Sequence, residues 1–530
     1  MKRDLSKFLK NEYDVIVIGA GIYGACIAWE AALRGLKAAL IDKGDFGGAT
    51  SANSLKIIHG SLRYLQSLDF KRMRESIKER RVLMRVAPHL VHPIPVIMPT
   101  YGHLMKGKEI MAAALLINDI IGFDRNKGLG DRQKYIPKGK VISREDCLKI
   151  LPDIEKKKLT GAAIWHDAQL YNSERLTLAF IQSAASIGAD AANYVEAVEF
   201  IKGDGKITGL KAKDILAGEE FEIKSKLIIN SSGPWIKQVL SKNIKISFCK
   251  AMNIVSKKQL FKKYAVGLSG GRKEYGYVFV VPWRDYSIIG VSCRSYNGEP
   301  DELKISEEEL KDFIAYFNSI CPFTNLKRSD VCFVHKGLLP IEYNKKIKLL
   351  KKYKIYENEN IITVIGVKYT TARDVAKKVI DLAFEKLNTK FEKSKSEFTP
   401  LVGGEIKNFN EFLENEAGKN KSLGAEIIKH LIYNYGSDYK DIIELIKKDH
   451  KLGKKVCANS EVIMAEIIYA VREEMAQKLA DVVLRRTELG SAGFPGKECI
   501  KSCAELMAKE LKWDKRKVSD EVKELSSFYS

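Results

Sequence analysis

The segment from residue 14 to residue 42 limits the fold of this chain more than any other stretch. An apolar run reads as a buried strand and enters the glycine pattern Gly19-x-Gly21-x-x-Gly24, which opens a helix. In such a turn the first glycine permits the tight bend, the second lets the backbone approach a pyrophosphate, and the third allows close helix–strand packing. A second apolar run ends at Asp42, near the spacing at which a carboxylate binds ribose hydroxyls. The segment predicts a dinucleotide-binding βαβ unit.

The chain has 530 residues, enough for roughly two to four domains with large buried cores. Its formal net charge of +22 could attract nucleic acid, an anionic membrane surface or an acidic substrate. Lysine is spread along the whole chain rather than concentrated in one arm, so solvated basic surfaces explain the charge equally well. No helix-turn-helix, zinc-finger or RRM-like pattern is present, and we expect no nucleic-acid partner.

Nine cysteines show neither a CxxC pair nor the spacing of metal ligands, so no metal site is expected. An odd number of cysteines without a regular framework indicates reduced thiols and a cytoplasmic location. Cys499 and Cys503 lie four residues apart on a predicted helix, where two thiols without further ligands are more often packing residues. The first ten residues are polar and basic and lack the apolar core of a secretory signal.

One apolar block, residues 111–123, is too short to span a bilayer and contains Asp119. Lys106, Lys108 and Arg125 flank it. A helix of this composition is either buried or lies on a membrane surface with its basic neighbours near anionic headgroups. The sequence therefore predicts no spanning segment. Peripheral attachment to the inner face of the membrane stays open beside a purely cytoplasmic location.

The composition changes at residues 388–400, which are polar, rich in lysine and followed by Gly403-Gly404. This stretch is the best candidate for a linker between domains. Almost every segment beyond it has helical periodicity, which predicts a helical C-terminal domain. Before it, a strand at 361–366 leads into an amphipathic helix at 371–387.

Four segments together resemble one known family. They are the glycine segment, the block Ala49 to Leu65, the turn Asn230-Ser-Ser-Gly-Pro-Trp235, and the segment 365–371 with residues 469–486 behind it. They resemble the FAD-dependent glycerol-3-phosphate dehydrogenases, members of the wider D-amino-acid-oxidase-like group of flavoproteins. The resemblance extends from Tyr13 to about Arg486.

The resemblance implies an α/β protein with a Rossmann-like FAD-binding domain, a mixed-sheet substrate domain and a C-terminal helical domain. The FAD-binding domain is expected at 12–100, 160–240 and 340–388, the substrate domain at 101–159 and 241–339, and the helical domain at 398–530. The implied reaction oxidises sn-glycerol 3-phosphate to dihydroxyacetone phosphate. Electrons would then pass from FAD to a quinone or to another acceptor.

The resemblance also implies site residues. Catalytic or substrate-binding roles fall on His59, Arg63, Tyr64 and Lys368, and cofactor binding falls on Gly19, Gly21, Gly24, Asp42, Thr50, Ser51, Gly233, Gly366, Lys368 and Thr370. A titratable group and fixed cations suit the oxidation of an anionic hydroxy substrate. Without the resemblance, His59 could be a histidine satisfied in a turn, and Arg63-Tyr64 an ordinary helix surface.

Four positions depart from the family pattern. Asn253 stands where the family has a histidine, Leu339 replaces an arginine used for phosphate, the family's Thr-Thr-Asp reads Val291-Ser-Cys293, and Val367 replaces a glycine near the flavin. Several changes on the substrate side favour altered specificity over drift. The alternatives are an FAD enzyme acting on another 2-hydroxy acid or an amino acid, and a flavin-binding scaffold that has lost catalysis.

Overall fold

The computed structural model describes residues 1–60, 62–103, 107–239, 244–270, 276–342, 349–350, 352–366 and 368–529, without the side chains at positions 63, 66 and 421. The strands are β1 (Glu12–Ile18), β2 (Ala38–Ile41), β3 (Ile57–Ile58), β4 (Val91–Tyr101), β5 (Lys140–Ser143), β6 (Leu159–Leu170), β7 (Asp190–Ala192), β8 (Val195–Gly203), β9 (Lys206–Asp214), β10 (Glu220–Asn230), β11 (Ser247–Ser256), β12 (Ala265–Ser269), β13 (Tyr277–Trp283), β14 (Tyr286–Tyr296), β15 (Val331–Ile341), β16 (Lys354–Asn358) and β17 (Ile361–Ile365).

The helices follow the same order along the chain. They are α1 (Ser6–Lys10), α2 (Ile22–Leu33), α3 (Phe70–Val86), α4 (Lys108–Ile121), α5 (Arg144–Ile150), α6 (Ser173–Ser186), α7 (Glu307–Ile320), α8 (Ala372–Leu387), α9 (Phe409–Lys419), α10 (Ala425–Tyr435), α11 (Tyr439–Lys448), α12 (Met464–Glu473), α13 (Leu479–Asp481), α14 (Lys497–Leu511) and α15 (Lys515–Ser526).

The first sheet runs in the order β16-β17-β10-β1-β2-β7, with β9 and β8 extending from β10. The strands β17, β10, β1, β2 and β7 are parallel, so the carboxyl ends of β1 and β2 lie at one edge. Val15 and Val17 pack with α2, α6 and α8, while Ile16 and Ile18 face the β8–β9 side. This is the Rossmann-like arrangement predicted from the sequence.

The second sheet runs β15-β11-β14-β13-β12-β4-β6-β3, with β5 on β6. One of its faces packs against α7, for example through Met252 and Phe313. The strands β4 and β6 belong to this sheet, although the sequence analysis put residues 91–100 and 160–170 in the FAD-binding domain. Their long antiparallel pairing with each other, and the pairing of β4 with β12, explain the difference. The domain boundaries as such stay a prediction.

Residues beyond 400 form the predicted helical region, α9 to α15, around two apolar cores. Buried ion pairs join it to the first sheet and its helices. Arg175 on α6 binds Glu474 at 2.7 Å, and Asp45 after β2 binds Arg485 and Arg486, which lie in a π-helical turn. Charged groups removed from water persist only when paired. These pairs therefore hold the helical region in one position.

The structure bears on two expectations from the sequence, that the cysteines are reduced and that no helix spans a membrane. Cys457 and Cys499 form a disulfide, with Cα atoms 5.2 Å apart, so the expectation that all cysteines are reduced is wrong for this pair. The 42 residues between the two positions hide their proximity, which follows from the packing of the loop before α12 against α14. Among the residues that the structure describes, no helix has the length and hydrophobicity to cross a bilayer.

A buried histidine gives the stability of this helical region a pH dependence. The Nε2 atom of His430 lies 3.0 Å from Glu466, and its Nδ1 lies 3.6 Å from Glu488, which also binds Arg284. Burial lowers the pKa of His430, but the two carboxylates outweigh burial and raise the pKa from its ordinary 6.5 to about 9. The protonated form is therefore the stable one at neutral pH.

We expect His430 to stabilise the fold fully below pH 6.5 and to lose that contribution as the pH rises through about 9. The free energy involved is on the order of 3 kcal/mol. The measurement compares melting temperatures of the wild type and of His430→Gln between pH 6 and pH 10. The difference between the two proteins should be largest at the acidic end and should shrink through pH 9. A difference that stays constant with pH would contradict this assignment.

Candidate active site

The glycine turn has the geometry that its sequence pattern predicts. Gly19 has a φ of +94°, and a Cβ there would lie 2.7 Å from the Ser231 carbonyl oxygen. A Cβ on Gly24 would lie 1.8 Å from the Gly19 carbonyl oxygen, so the strand and helix can approach only without side chains. Gly21 is the residue before α2, and its backbone is at the open end of the turn. The turn thus presents the amino end of α2 to a ligand.

The block Ala49 to Leu65, which follows β2, packs against this glycine turn. Ile22 N–H donates a hydrogen bond of 3.0 Å to Ser51 Oγ, which satisfies one of the free amides at the start of α2. Thr50 Oγ1 donates to the Leu338 carbonyl at 3.3 Å and so connects the block to β15 in the second sheet. Thr50 and Ser51 therefore lie where the two sheets meet.

Asp42 follows β2 at the carboxyl edge of the first sheet. Its carboxylate accepts hydrogen bonds from Ala20 N–H at 2.6 Å and from Gly44 N–H at 2.8 Å. Burial raises the pKa of Asp42 to about 6, although both amide hydrogen bonds act in the opposite direction. A carboxylate held in this way beside the glycine turn is available to ribose hydroxyls.

A cavity of about 2290 Å³ lies between the two sheets. Its volume exceeds the roughly 300–1,000 Å³ of an ordinary small-molecule site and provides room for a dinucleotide together with a substrate. The predicted residues that line it are Gly19, Gly21, Asp42, Thr50, Ser51, His59, Gly233, Gly366, Lys368 and Thr370. Gly24, in the first turn of α2, and Tyr64 are not in the lining, while the side chain of Arg63 and residue Val367 are outside the described residues.

Tyr64 nevertheless contacts a cavity residue through a cation–π interaction, and a second cation lies near the same ring. Lys368 Nζ lies 4.4 Å from the centre of the Tyr64 ring, and the Arg72 guanidinium lies 4.4 Å from the same ring centre. Arg72 in turn binds Asp69, the residue that caps α3. The sequence analysis missed Arg72, because an arginine eight residues after a tyrosine matches no known motif. The stack fixes the Tyr64 ring beside a cavity lysine.

Tyr23 couples the glycine turn to the Lys368 segment and was also missed. Its hydroxyl lies 3.3 Å from both the backbone N–H and the carbonyl of Lys368. A Cβ on Gly366 would lie 2.2 Å from the Tyr23 ring, so the glycine is needed for this contact. Tyr23 occupies a variable position of the glycine pattern, and the pattern itself gives it no role.

Three of the four departures from the family pattern lie on adjacent strands. Asn253, on β11, lines the cavity; Leu339, on β15, also lines it and pairs with Cys249. Cys293, on β14, pairs with Ala251 of the cavity wall. The substrate side of the sheet therefore carries neutral groups where the family pattern has ionisable ones.

The helical C-terminal region also contributes to the cavity wall. Arg485 lines the cavity while it binds Asp45 and Asp481. The sequence analysis quoted Arg485 in its last segment but gave it no role. Burial alone would raise the pKa of Asp45, but the guanidiniums of Arg486 and Arg485 outweigh it and hold this pKa well below its usual range.

The donor set suits FAD. The glycine turn forms a cradle that a Cβ on Gly21 would narrow, since that atom would lie 3.2 Å from Ser51 Oγ. In dinucleotide-binding folds of this kind, the amino end of the first helix binds the pyrophosphate and a carboxylate placed like Asp42 binds a ribose. The remaining cavity extends along Thr50, His59 and Lys368 to the second sheet, where a flavin ring can meet a substrate.

Comparison with known proteins gives two family matches. A family described as FAD dependent oxidoreductase matches residues 14–367. A second, described as the C-terminal domain of alpha-glycerophosphate oxidase, matches residues 394–518. The two matches cover most of the chain and leave residues 368–393, which include α8, between them.

Individual proteins are similar over nearly the full length. A glycerol-3-phosphate dehydrogenase of Synechocystis sp. is 32% identical, with 92% of this chain and 90% of that protein covered. An aerobic glycerol-3-phosphate dehydrogenase of Staphylococcus haemolyticus is 28% identical over 91% of this chain and 88% of that protein. The crystal structure of a glycerol-3-phosphate dehydrogenase from Bacillus halodurans, complexed with FAD, superposes with a TM-score of 0.80 at 23% identity, covering 99% of this chain and 96% of that one. This last match shows a shared fold.

Proposed function

Because this chain belongs to the family of FAD-dependent glycerol-3-phosphate dehydrogenases, we propose that it oxidises sn-glycerol 3-phosphate to dihydroxyacetone phosphate. The observation that carries the proposal is the cavity between the two sheets. The glycine turn, Asp42, His59 and Lys368 all line it. One space therefore offers a dinucleotide cradle, a titratable group and a cation for an anionic substrate.

The reaction removes two electrons and two protons from a secondary alcohol. Bound FAD supplies the acceptor for the hydride that leaves the carbinol carbon. The hydroxyl proton needs a base, and we assign this role to His59, the histidine of the predicted set that lines the cavity. His59 either takes this proton or positions the hydroxyl and the flavin for its departure. The C–O bond becomes the ketone as the C–H and O–H bonds break.

The phosphate of the substrate needs fixed cations. We assign Lys368 and Arg63 to this task, because an amine and a guanidinium donate charge-assisted hydrogen bonds to phosphate oxygens. Tyr64, held between Lys368 and Arg72, supplies a rigid wall beside Lys368. With Leu339 in place of an arginine, the remaining cations provide more of the binding energy.

Leu339→Arg tests the substrate assignment. Leu339 lines the cavity on β15, so a guanidinium there can reach the space that holds the substrate. If glycerol 3-phosphate is the substrate, we expect its KM to fall by roughly tenfold, the effect of one added charge-assisted hydrogen bond of about 1.5 kcal/mol. The measurement is anaerobic bleaching of the flavin against phosphorylated polyols, hydroxy acids and amino acids. Leu339→Met is the matched control and should behave like the wild type.

The same panel separates the alternatives. The neutral cavity residues Leu339 and Asn253 favour, as a second candidate, a 2-hydroxy acid or amino acid that carries less charge than a phosphate ester. Bleaching by such a compound, with no response to glycerol 3-phosphate before and after Leu339→Arg, would replace the proposed substrate. A yellow protein that no member of the panel bleaches would instead be a flavin-binding scaffold.

We further propose that the enzyme lies on the inner face of the membrane and passes its electrons to a quinone. One side of α4 supports this location, since Leu116, Ile120 and the neighbouring Phe123 are 62%, 64% and 79% exposed. Ile110 and Ile117 of the same helix are exposed and also line the cavity. An apolar acceptor could therefore approach the flavin from the surface that contacts lipid.

The charges around α4 fit this orientation in part. Lys108 begins the helix, but Arg125, which the sequence analysis counted as a basic flank, is buried and pairs with Asp119. That pair neutralises the acid that would otherwise oppose contact with lipid. The protein's net charge of +22 adds a long-range attraction to anionic headgroups.

Vesicle binding tests the location. We expect the wild type to sediment with vesicles of phosphatidylglycerol and phosphatidylcholine at low salt. Leu116→Asp/Ile120→Asp should lower the bound fraction by roughly tenfold or more, because burial of each side chain contributes about 1.5–3 kcal/mol. Leu9→Asp, which changes an equally exposed leucine on α1, is the matched control and should bind normally. Wild-type protein that stays in the supernatant would remove the proposal.

A further inference from the structure

Asp167 on β6 is a buried carboxylate of the cavity wall that the proposed reaction does not use. It is 6% exposed and lines the cavity. Three donors converge on it. Gly60 N–H at 2.5 Å and Arg80 Nη1 at 2.8 Å donate to Oδ1, and Trp165 Nε1 donates to Oδ2 at 3.0 Å. A buried carboxylate that is paired and hydrogen-bonded in this way is held in one orientation.

The register of β3 brings His59 to this carboxylate. The last pair of the antiparallel β3–β6 ladder is Ile58 with Ala168. One step further along the same register, His59 stands opposite Asp167. At this point the Asp167 side chain accepts the hydrogen bond of Gly60 N–H and so extends the attachment of the chain to β6 beyond the end of the ladder.

Arg80 on α3 completes this attachment. It is 4% exposed, and its Nη1 also donates to the His166 carbonyl at 2.7 Å. A Cβ on Gly60 would lie 2.5 Å from the same Nη1, so the guanidinium packs directly on the glycine backbone. A buried ion pair is costly to break once formed. The backbone just after His59 is therefore fixed between α3 and β6.

We infer that Asp167, held by Arg80, is the positioning residue for His59 in the proton transfer, an inference that rests on the proposed function. A base removes a hydroxyl proton only when its nitrogen lies within hydrogen-bond reach of that hydroxyl. His59 follows a strand of only two residues, which alone would hold it loosely, and the hydrogen bond to Gly60 compensates for the short ladder. Asp167 itself takes no proton; it fixes the backbone that carries the base.

Asp167→Asn gives the direct test, measured by anaerobic stopped-flow reduction of the holoenzyme with glycerol 3-phosphate. An amide has one acceptor oxygen and one donor nitrogen, so at least one of the three donors loses its acceptor. We expect the limiting rate of flavin reduction to fall by roughly ten- to a hundredfold, because a displacement of about 1 Å at a catalytic group has an effect of that size. The dissociation constants of glycerol 3-phosphate and of FAD should stay within about twofold of the wild-type values.

Glu79→Gln is the matched control. Glu79 precedes Arg80 on α3, is 1% exposed and accepts a hydrogen bond of 2.8 Å from Arg373 Nε, but neither Glu79 nor Arg373 lines the cavity. Breaking this equally buried pair should lower the melting temperature, as Asp167→Asn does, and leave the rate of flavin reduction unchanged. A purely structural role of Asp167 would give the same pattern for both variants.

A double-mutant cycle shows whether Asp167 acts through His59. In the His59→Gln background, Asp167→Asn should change the reduction rate by less than about twofold, because the base that it positions is absent. Arg80→Lys is a second variant for the case that Asp167→Asn does not fold, since it keeps a cation beside Asp167 but loses the guanidinium fork. It should lower the rate by roughly threefold or more with His59 present and leave it unchanged with His59→Gln.

The outcomes are distinct. Effects of Asp167→Asn and His59→Gln that multiply, a rate that both Asp167→Asn and Arg80→Lys leave unchanged, or loss of FAD from Asp167→Asn would each overturn the inference. If a hydroxy acid or an amino acid reduces the wild-type flavin and glycerol 3-phosphate does not, the proposed substrate falls, and the same cycle with that compound still decides the role of Asp167. A wild type that no compound of the panel reduces would remove the proposed function and, with it, the assignment of His59.

Discussion

Replacing Gly21 with leucine is expected to give folded protein that purifies without flavin. The φ of Gly21 is −68° and its ψ is −179°, values that any residue adopts, so the backbone tolerates a side chain. A Cβ would meet only Ser51 Oγ, at 3.2 Å. The rest of the leucine must extend into the cavity, where we expect the pyrophosphate to bind beside the amino end of α2. Overlap of this kind costs about 3 kcal/mol or more, which lowers FAD affinity by more than about a hundredfold.

The measurement is the visible flavin absorbance of purified protein, followed by titration with FAD. Gly24→Leu offers a contrast, because a Cβ there would strike the backbone of Gly19 and disrupt the fold itself. Gly130→Ala is the control, since its Cβ meets nothing within 4 Å. The melting temperature of Gly21→Leu should be that of the wild type stripped of FAD. Stoichiometric flavin in Gly21→Leu would show that the pyrophosphate does not cross this turn.

Local sequence patterns were sufficient for the elements that carry the cofactor cradle. The glycine pattern predicted a strand, a turn and a helix, and the structure has β1 at Glu12–Ile18 and α2 at Ile22–Leu33. The helix predicted at 371–387 is α8, Ala372–Leu387. Both predictions depend on periodicity and backbone geometry within one short segment, where neighbouring residues decide the conformation.

Local sequence patterns could not predict the contacts between segments that are far apart in the sequence. The sequence analysis placed β4 in the FAD-binding domain, whereas β4 belongs to the second sheet. There it pairs with β12 only around Val96 and Ile97, so its prolines need no hydrogen bond to that strand. The register that brings Asn253 next to Gly290 depends on the pairing of β11 with β14. Likewise, nothing near Tyr64 in the sequence indicates that Arg72 and Lys368 enclose its ring.

The ion pairs between Asp45 and the π-helical turn join residues that are especially far apart in the sequence. They are the basis for a second prediction, on Asp45→Asn. Asp45 accepts hydrogen bonds from Arg485 and Arg486, 440 and 441 residues away. Both arginines are at least nine-tenths buried, and Asn193 Nδ2 donates to the same carboxylate at 2.9 Å. Asp45 lines the cavity next to Arg485. One carboxylate thus connects the dinucleotide cradle to the helical C-terminal region.

Asp45→Asn should therefore destabilise the protein strongly and loosen the helical region. The change leaves the buried Arg486 guanidinium without its charge partner and leaves Arg485 with Asp481 alone, at a cost of about 3–5 kcal/mol. We expect a lower melting temperature, faster proteolysis in the segment 388–400 and weaker retention of FAD. Glu220→Gln, which breaks an exposed pair with Lys211, is the control and should cost at most about 1 kcal/mol.

A double variant separates the charge from the packing. In Asp45→Asn/Arg486→Met, the guanidinium that lost its charge partner is removed, so part of the lost stability should return. Return of stability together with FAD binding would show that the ion pairs hold the cradle through the position of the helical region. If Asp45→Asn alone melts within about 1 kcal/mol of the wild type, water or Asp481 already compensates the arginines, and the two regions are held together by their apolar contacts.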